Sequence, residues 1–145
     1  MSWLPITSES ASDLGTRLKL QAYALLVVCG ARLGLCLLPY RRLASWAKLR
    51  PMPAPRQREA DLVTKYVARA ARYVPGATCL TQAIAAQFML GRCGVSSIVH
   101  IGMFQGPEGK PRAHAWLVVG SQVVLNRDGI DLSQCVPLTD LPLAS

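Results

Sequence analysis

The stretch Pro75–Asn126, PGATCLTQAIAAQFMLGRCGVSSIVHIGMFQGPEGKPRAHAWLVVGSQVVLN, carries a helical hydrophobic period first and a strand period second. From Cys79 to about Leu90 the spacing is helical. Ala83, Ala86 and Leu90 continue the face of Cys79, while Ile84 and Phe88 fill the neighbouring row. Pro75-Gly76 separates this helix from what precedes it, and Gly91 and Gly94 close it. After Gly94 the period changes to two. Ser97–Phe104 and Arg112–Val119 read as strands joined by the loop Gln105–Lys110. Gly120-Ser121 is a tight connection into a third strand, Gln122–Asn126. An antiparallel meander packed against helices is an α+β layout.

Two residue types in this stretch carry chemistry. Cys79 falls in the first turn of its helix, beside free backbone N–H groups and the positive end of the helix dipole. Such a position favours the thiolate, the nucleophilic form of a cysteine. His114 shares one face of the second strand with Trp116 and Val118, while Ala115, Leu117 and Val119 share the other. On the third strand Asn126 has the parity of Gln122 and Val124, and Asp128 follows that parity if the strand extends. A helix-start Cys, a strand His and a carboxamide or carboxylate on the next strand supply the parts of a thiol acyl-transfer site. The His accepts the thiol proton and later protonates the leaving amine, and the third residue holds its tautomer. His100, on a face with Ile98, Gly102 and Phe104, is the other candidate base.

Upstream, Arg56–Val74 reads as a helix with Val63, Val67, Ala70 and Val74 on one face. The run Pro51-Met52-Pro53-Ala54-Pro55 is a stiff connector, incompatible with helix or central strand. It divides an apolar and basic helical region, 1–55, from a core at 56–145, with one compact unit expected overall. Before it, Leu18–Leu38 is the most apolar stretch, ended by Pro39, and a second helix runs from Tyr40 to about Arg50. The length of Leu18–Leu38 approaches a membrane span, which needs about 20 apolar residues. Arg32 interrupts it, so a buried or interfacial helix is expected and membrane association is not favoured.

The 145 residues suffice for one domain with a real core, and 51% hydrophobic with 17% charged residues excludes a disordered chain. All the net charge of +8 lies in the first half: residues 1–73 hold twelve Lys/Arg and four acids, and 74–145 hold four of each. A basic half implies an acidic partner, whether peptide, membrane surface or nucleic acid. No zinc motif, helix-turn-helix or aromatic-interleaved basic patch supports nucleic acid. The five cysteines form no CxxC pair and no secretory signal opens the chain, which points to reduced thiols and the cytoplasm. No ligand cluster or phosphate-binding glycine loop calls for a metal or a cofactor.

Four ordered motifs add a resemblance: Gly76-Ala77-Thr78-Cys79-Leu80, Gly94-Val95, Ile101-Gly102 and His114-Ala115-Trp116. Together they resemble the transglutaminase-like cysteine peptidases of lasso-peptide biosynthesis, of the stand-alone leader-peptidase type. Val136-Pro137-Leu138 also fits. The first half matches in general character, with an apolar helix, a Leu-Pro-Tyr-Arg-Arg-Leu junction and a basic helix. The resemblance implies a transglutaminase/papain-like core whose Cys–His–Asp type triad cuts the leader from a ribosomally made precursor peptide. It implies a separate leader-binding partner protein, and an ATP-dependent lasso cyclase that closes the macrolactam ring afterwards. By motif, Cys79 is the nucleophile and His114 the base. The family pattern expects an acid after the His strand. Here Asn126 comes first, with Asp128 as its substitute. An acyl transferase with the same residues is the alternative enzyme, and a non-catalytic basic membrane- or peptide-associated protein is the alternative outside enzymology.

Overall fold

A computed structural model describes residues 14–39, 42, 57–126 and 129–140. Apart from Arg42, the sequence-predicted helix at 40–50 lies outside the described residues, as do the proline run and Asp128. Three α-helices stand among those described: α1 (Leu14–Leu37), α2 (Gln57–Ala71) and α3 (Cys79–Arg92). Four strands follow: β1 (Ile98–Gln105), β2 (Pro111–Val119), β3 (Gln122–Leu125) and β4 (Val136–Asp140), with a short 3-10 helix at Leu132–Gln134. The sheet is antiparallel, in the order β3-β2-β1-β4.

α3 is the centre of the molecule. Ten of its fourteen residues are buried, from Thr81 to Gly91, because α1, α2 and β2 all pack on it. The small residues Ala83, Ala85 and Ala86 let those neighbours approach closely. α1 contributes Leu20, Ala24, Val28 and Ala31, spaced by four, four and three. α2 contributes Ala60, Val63, Val67 and Ala70 on the stripe expected from its sequence. Burying side chains such as Met89, Leu90 and Val67 stabilises the fold by about 1.5–3 kcal/mol each. The sheet adds Val99, Ala115, Leu117, Val119 and Leu125 to the same core. The described part of 1–55 therefore shares its core with 56–145.

Element ends depart from the expected ones in ways that have local causes. α1 begins at Leu14, a turn earlier than its apolar run, since Thr16 and Arg17 are tolerated on an exposed first turn. α2 ends at Ala71, before Val74: Pro75 disfavours helical backbone at the residue ahead of it, and Gly76 turns the chain at φ +72°. Val74 still packs against the core from outside the helix. The expected three-stranded meander gains β4, which pairs with β1 through Gly102↔Pro137 and Met103↔Val136. Its proline is compatible with the strand because β4 is an edge.

One irregularity in β3 decides the face on which the third site residue arrives. Val119 pairs with Gln122 and Val118 with Val123, but Leu117 pairs with Leu125. Val124 is the extra residue of this register shift, and both Val124 and Leu125 pack against the helical core. Simple alternation put Asn126 on the face of Val124. The bulge corrects this: Asn126 passes to the opposite face, the one that carries His114.

Candidate active site

Cys79 is the first residue of α3. Thr78 is the N-cap, with extended backbone (φ −84°, ψ 172°), and it forms a capping box with Thr81. The Thr81 N–H donates to the Thr78 hydroxyl (3.3 Å), and the Thr78 N–H donates back to the Thr81 hydroxyl (3.4 Å). The box uses the third N–H of the helix and leaves those of Cys79 and Leu80 without a hydrogen-bond partner among the described residues. Cys79 is half-buried and its side chain packs on the core. The spacing Thr-x-x-Thr is the sequence signal for this box, and the motif reading, centred on the cysteine, did not use it.

His114 is 2% exposed on β2. Its Nε2 lies 2.8 Å from Oδ1 of Asn126. The Asn126 amide is oriented by a second bond, in which Nδ2 donates to the Ile130 carbonyl at 2.8 Å. Since Nδ2 must face that carbonyl, Oδ1 faces the ring, and a carbonyl oxygen only accepts. The imidazole therefore carries its proton on Nε2, which leaves Nδ1 as the free lone pair, the basic nitrogen. Asp131 and Ser133 are held to each other. The Asp131 carboxylate accepts from the Ser133 hydroxyl (2.7 Å) and backbone N–H (3.0 Å), which holds that carboxyl below its ordinary range.

Rings flank the imidazole. Trp116 lies nearly parallel to His114 (centroids 6.1 Å, 19°) and to His100 (5.6 Å, 12°). Phe104 meets His114 edge-on at 6.2 Å. Gly102, opposite His114 across the β1–β2 pair, makes room for this wall. A Cβ there would stand 3.0 Å from Trp116 Cη2 and 3.0 Å from the Val136 carbonyl oxygen. The tripeptide His114-Ala115-Trp116 marked these rings in the sequence, but the role of Gly102 depends on neighbours far along the chain.

The structure thus joins His114 to Asn126 and stacks His100 on Trp116. Cys79 opens the helix that packs on β2, and no hydrogen bond links its thiol to His114 among the described residues. Nor do the described residues gather three His, Cys, Asp or Glu side chains that could hold a metal ion. Burial, with the Asp131 carboxylate adding to it, pushes the Cys135 thiol up.

A helix that opens on a cysteine, packed against an antiparallel sheet bearing an oriented histidine, is the layout of thiol enzymes of the papain and transglutaminase type. The chain belongs to the transglutaminase-like superfamily, whose family model matches residues 25–134. That superfamily commonly has cysteine protease or acyltransferase activity. No curated protein and no solved structure matches the chain at a significant level.

Proposed function

We propose that the chain is a cytoplasmic cysteine peptidase that removes the leader from a ribosomally made lasso precursor peptide. Cys79 is the nucleophile, His114 the general base and Asn126 the orienting residue. The observation that supports this most strongly is the His114–Asn126 bond of 2.8 Å, locked by Ile130, on the strand against which the Cys79 helix packs. The four ordered motifs supply the substrate class.

In this reading the thiol proton passes to His114 Nδ1 as sulfur attacks the carbonyl carbon of the scissile amide. The Cys79 backbone N–H, at the start of α3, stabilises the oxyanion. The C–N bond then breaks, the imidazolium gives its proton to the leaving amine, and the leader stays on sulfur as a thioester. Water, deprotonated by the same Nδ1, cleaves the thioester to a free acid and thiol. The released core peptide carries the new amine that a separate ATP-dependent cyclase then joins into the macrolactam. A leader-binding protein presents the precursor.

The test combines the purified chain with its precursor peptide and leader-binding partner and reads the products by mass spectrometry. Separate leader and core fragments are expected from wild type. Cys79→Ala, folded by circular dichroism, is expected to leave the precursor intact, and equal cleavage by that variant defeats the mechanism. A leader joined to an added amine in place of water would identify the acyl transferase.

A further inference from the structure

α1 is apolar on both sides. One side supplies Leu20, Ala24, Val28 and Ala31 to the core. The other leaves Leu14, Leu18, Leu26, Leu33 and Leu37 between 63% and 80% exposed, with exposed Ala22 and Gly30 between them. The stripe runs the whole 24-residue helix, about 36 Å at 1.5 Å per residue. Beyond Lys19 the helix has one charge, Arg32, and it is turned to the protein. Its guanidinium donates to Cys36 Sγ at 3.0 Å and stands over Gly76, where a built Cβ would meet Nη2 at 2.9 Å. A continuous apolar face of this length on a described surface marks a contact with something apolar.

The N-terminal end of the stripe runs into a basic pocket. α1 and α2 face each other there with matching spacings: Leu14, Arg17, Leu18 and Gln21 against Leu62, Lys65, Tyr66 and Arg69. The cavity between them has a volume of about 450 Å³. Lys65 and Arg69 are exposed on its rim and have no ion-pair partner among the described residues. Gln21, on the opposite wall, has a buried side-chain amide whose N and O both lack hydrogen-bond partners. Cations and a spare amide donor suit an anionic, oxygen-rich group. Leu14 and Leu18 belong to both features, so one occupant that is anionic at the pocket and apolar along the helix satisfies both.

We infer that this face docks on an anionic lipid surface, with α1 lying in the plane of the interface and a phosphate headgroup held by Lys65 and Arg69. The helix is long and apolar enough to cross a membrane. Spanning, however, would strip Leu20, Ala24, Val28 and Ala31 from α2 and α3, so the helix lies along the surface. The uncharged stripe enters the acyl boundary while the flanking cations reach the headgroups. The electrically balanced sheet half stays in water.

Sedimentation of the full chain with vesicles tests this, using phosphatidylcholine alone and an equal mixture with phosphatidylglycerol. Binding to the mixed vesicles is expected, with weak binding to the neutral ones and loss of affinity at high salt. Leu26→Gln/Leu33→Gln should lower the partition coefficient about tenfold or more by removing exposed apolar area. Lys65→Glu/Arg69→Glu should lower it about tenfold or more on anionic vesicles. All four positions are exposed, and unchanged circular dichroism shows that the variants fold. Equal binding by wild type and folded variants overturns the inference. So does the absence of vesicle binding, and a self-associating chain dispersed by the leucine substitutions would then assign the stripe to a second copy.

Discussion

The two faces of β2 make different uses of similar burial. Ala115, Leu117 and Val119 point into the helical core, and all are at most 3% exposed. His114 and Trp116, one residue out of phase, are also buried, yet they meet rings and a carboxamide, with no part in that core. One face holds the fold together and the other holds an imidazole against a carboxamide oxygen. A strand can separate the two tasks because its side chains alternate with a period of two. Mutations on one face should therefore change stability with little effect on chemistry, and mutations on the other the reverse.

The sharpest break between the faces is expected from His114→Ala. Peptide cleavage per folded molecule should fall by about 10³-fold or more, as for loss of a triad member, beyond any drop in the urea midpoint from removing a buried ring. His100→Ala should keep cleavage within about tenfold, since its ring contacts Trp116 and only indirectly affects the base. An equal loss from both would merge the two histidines into one role. Asn126→Ala should cost about 10²–10⁴-fold by freeing the tautomer, and Asn126→Asp, which keeps the acceptor oxygen, should recover most of the rate. A comparable loss in Asp128→Ala, with Asn126→Ala near wild type, would move the orienting role.

On the core face, Leu117→Ala should destabilise by about 2–5 kcal/mol in urea unfolding, with the rate per folded molecule preserved. Gly102→Ala tests where the comparison gives way. Its Cβ would press on Trp116 and on the Val136 carbonyl, so it should cost about 1–3 kcal/mol and also lower the cleavage rate through the displaced ring wall. An unaffected rate would show that the Trp116 ring does not position His114.

Much of this was legible from local patterns. The apolar spacing of α2 and α3, the proline-glycine break and the alternation of β1 and β2 predicted those elements within a few residues, because periodicity and backbone breakers act over a single turn or strand. The placement of Cys79 at a helix start was legible for the same reason. β4 was not, because Val136-Pro137-Leu138 lacks an alternating pattern and becomes a strand only by pairing with β1. The family pattern points to Asn126 as the first residue after the His strand, but uninterrupted alternation puts it on the wrong face. It reaches His114 because β3 bulges at Val124, and a bulge exists only relative to the strand beside it.

Composition and periodicity by themselves determined the α+β class, the basic first half, and the placement of Cys79 at a helix start and of His114 on a strand. Tertiary structure decided which nitrogen of His114 is protonated, why a glycine must face it, and that Arg32 folds back over Gly76 to leave the α1 stripe uncharged. Each of these depends on contacts between residues far apart in the chain. Hydrogen-bond direction and steric room at such contacts have no signature in local spacing.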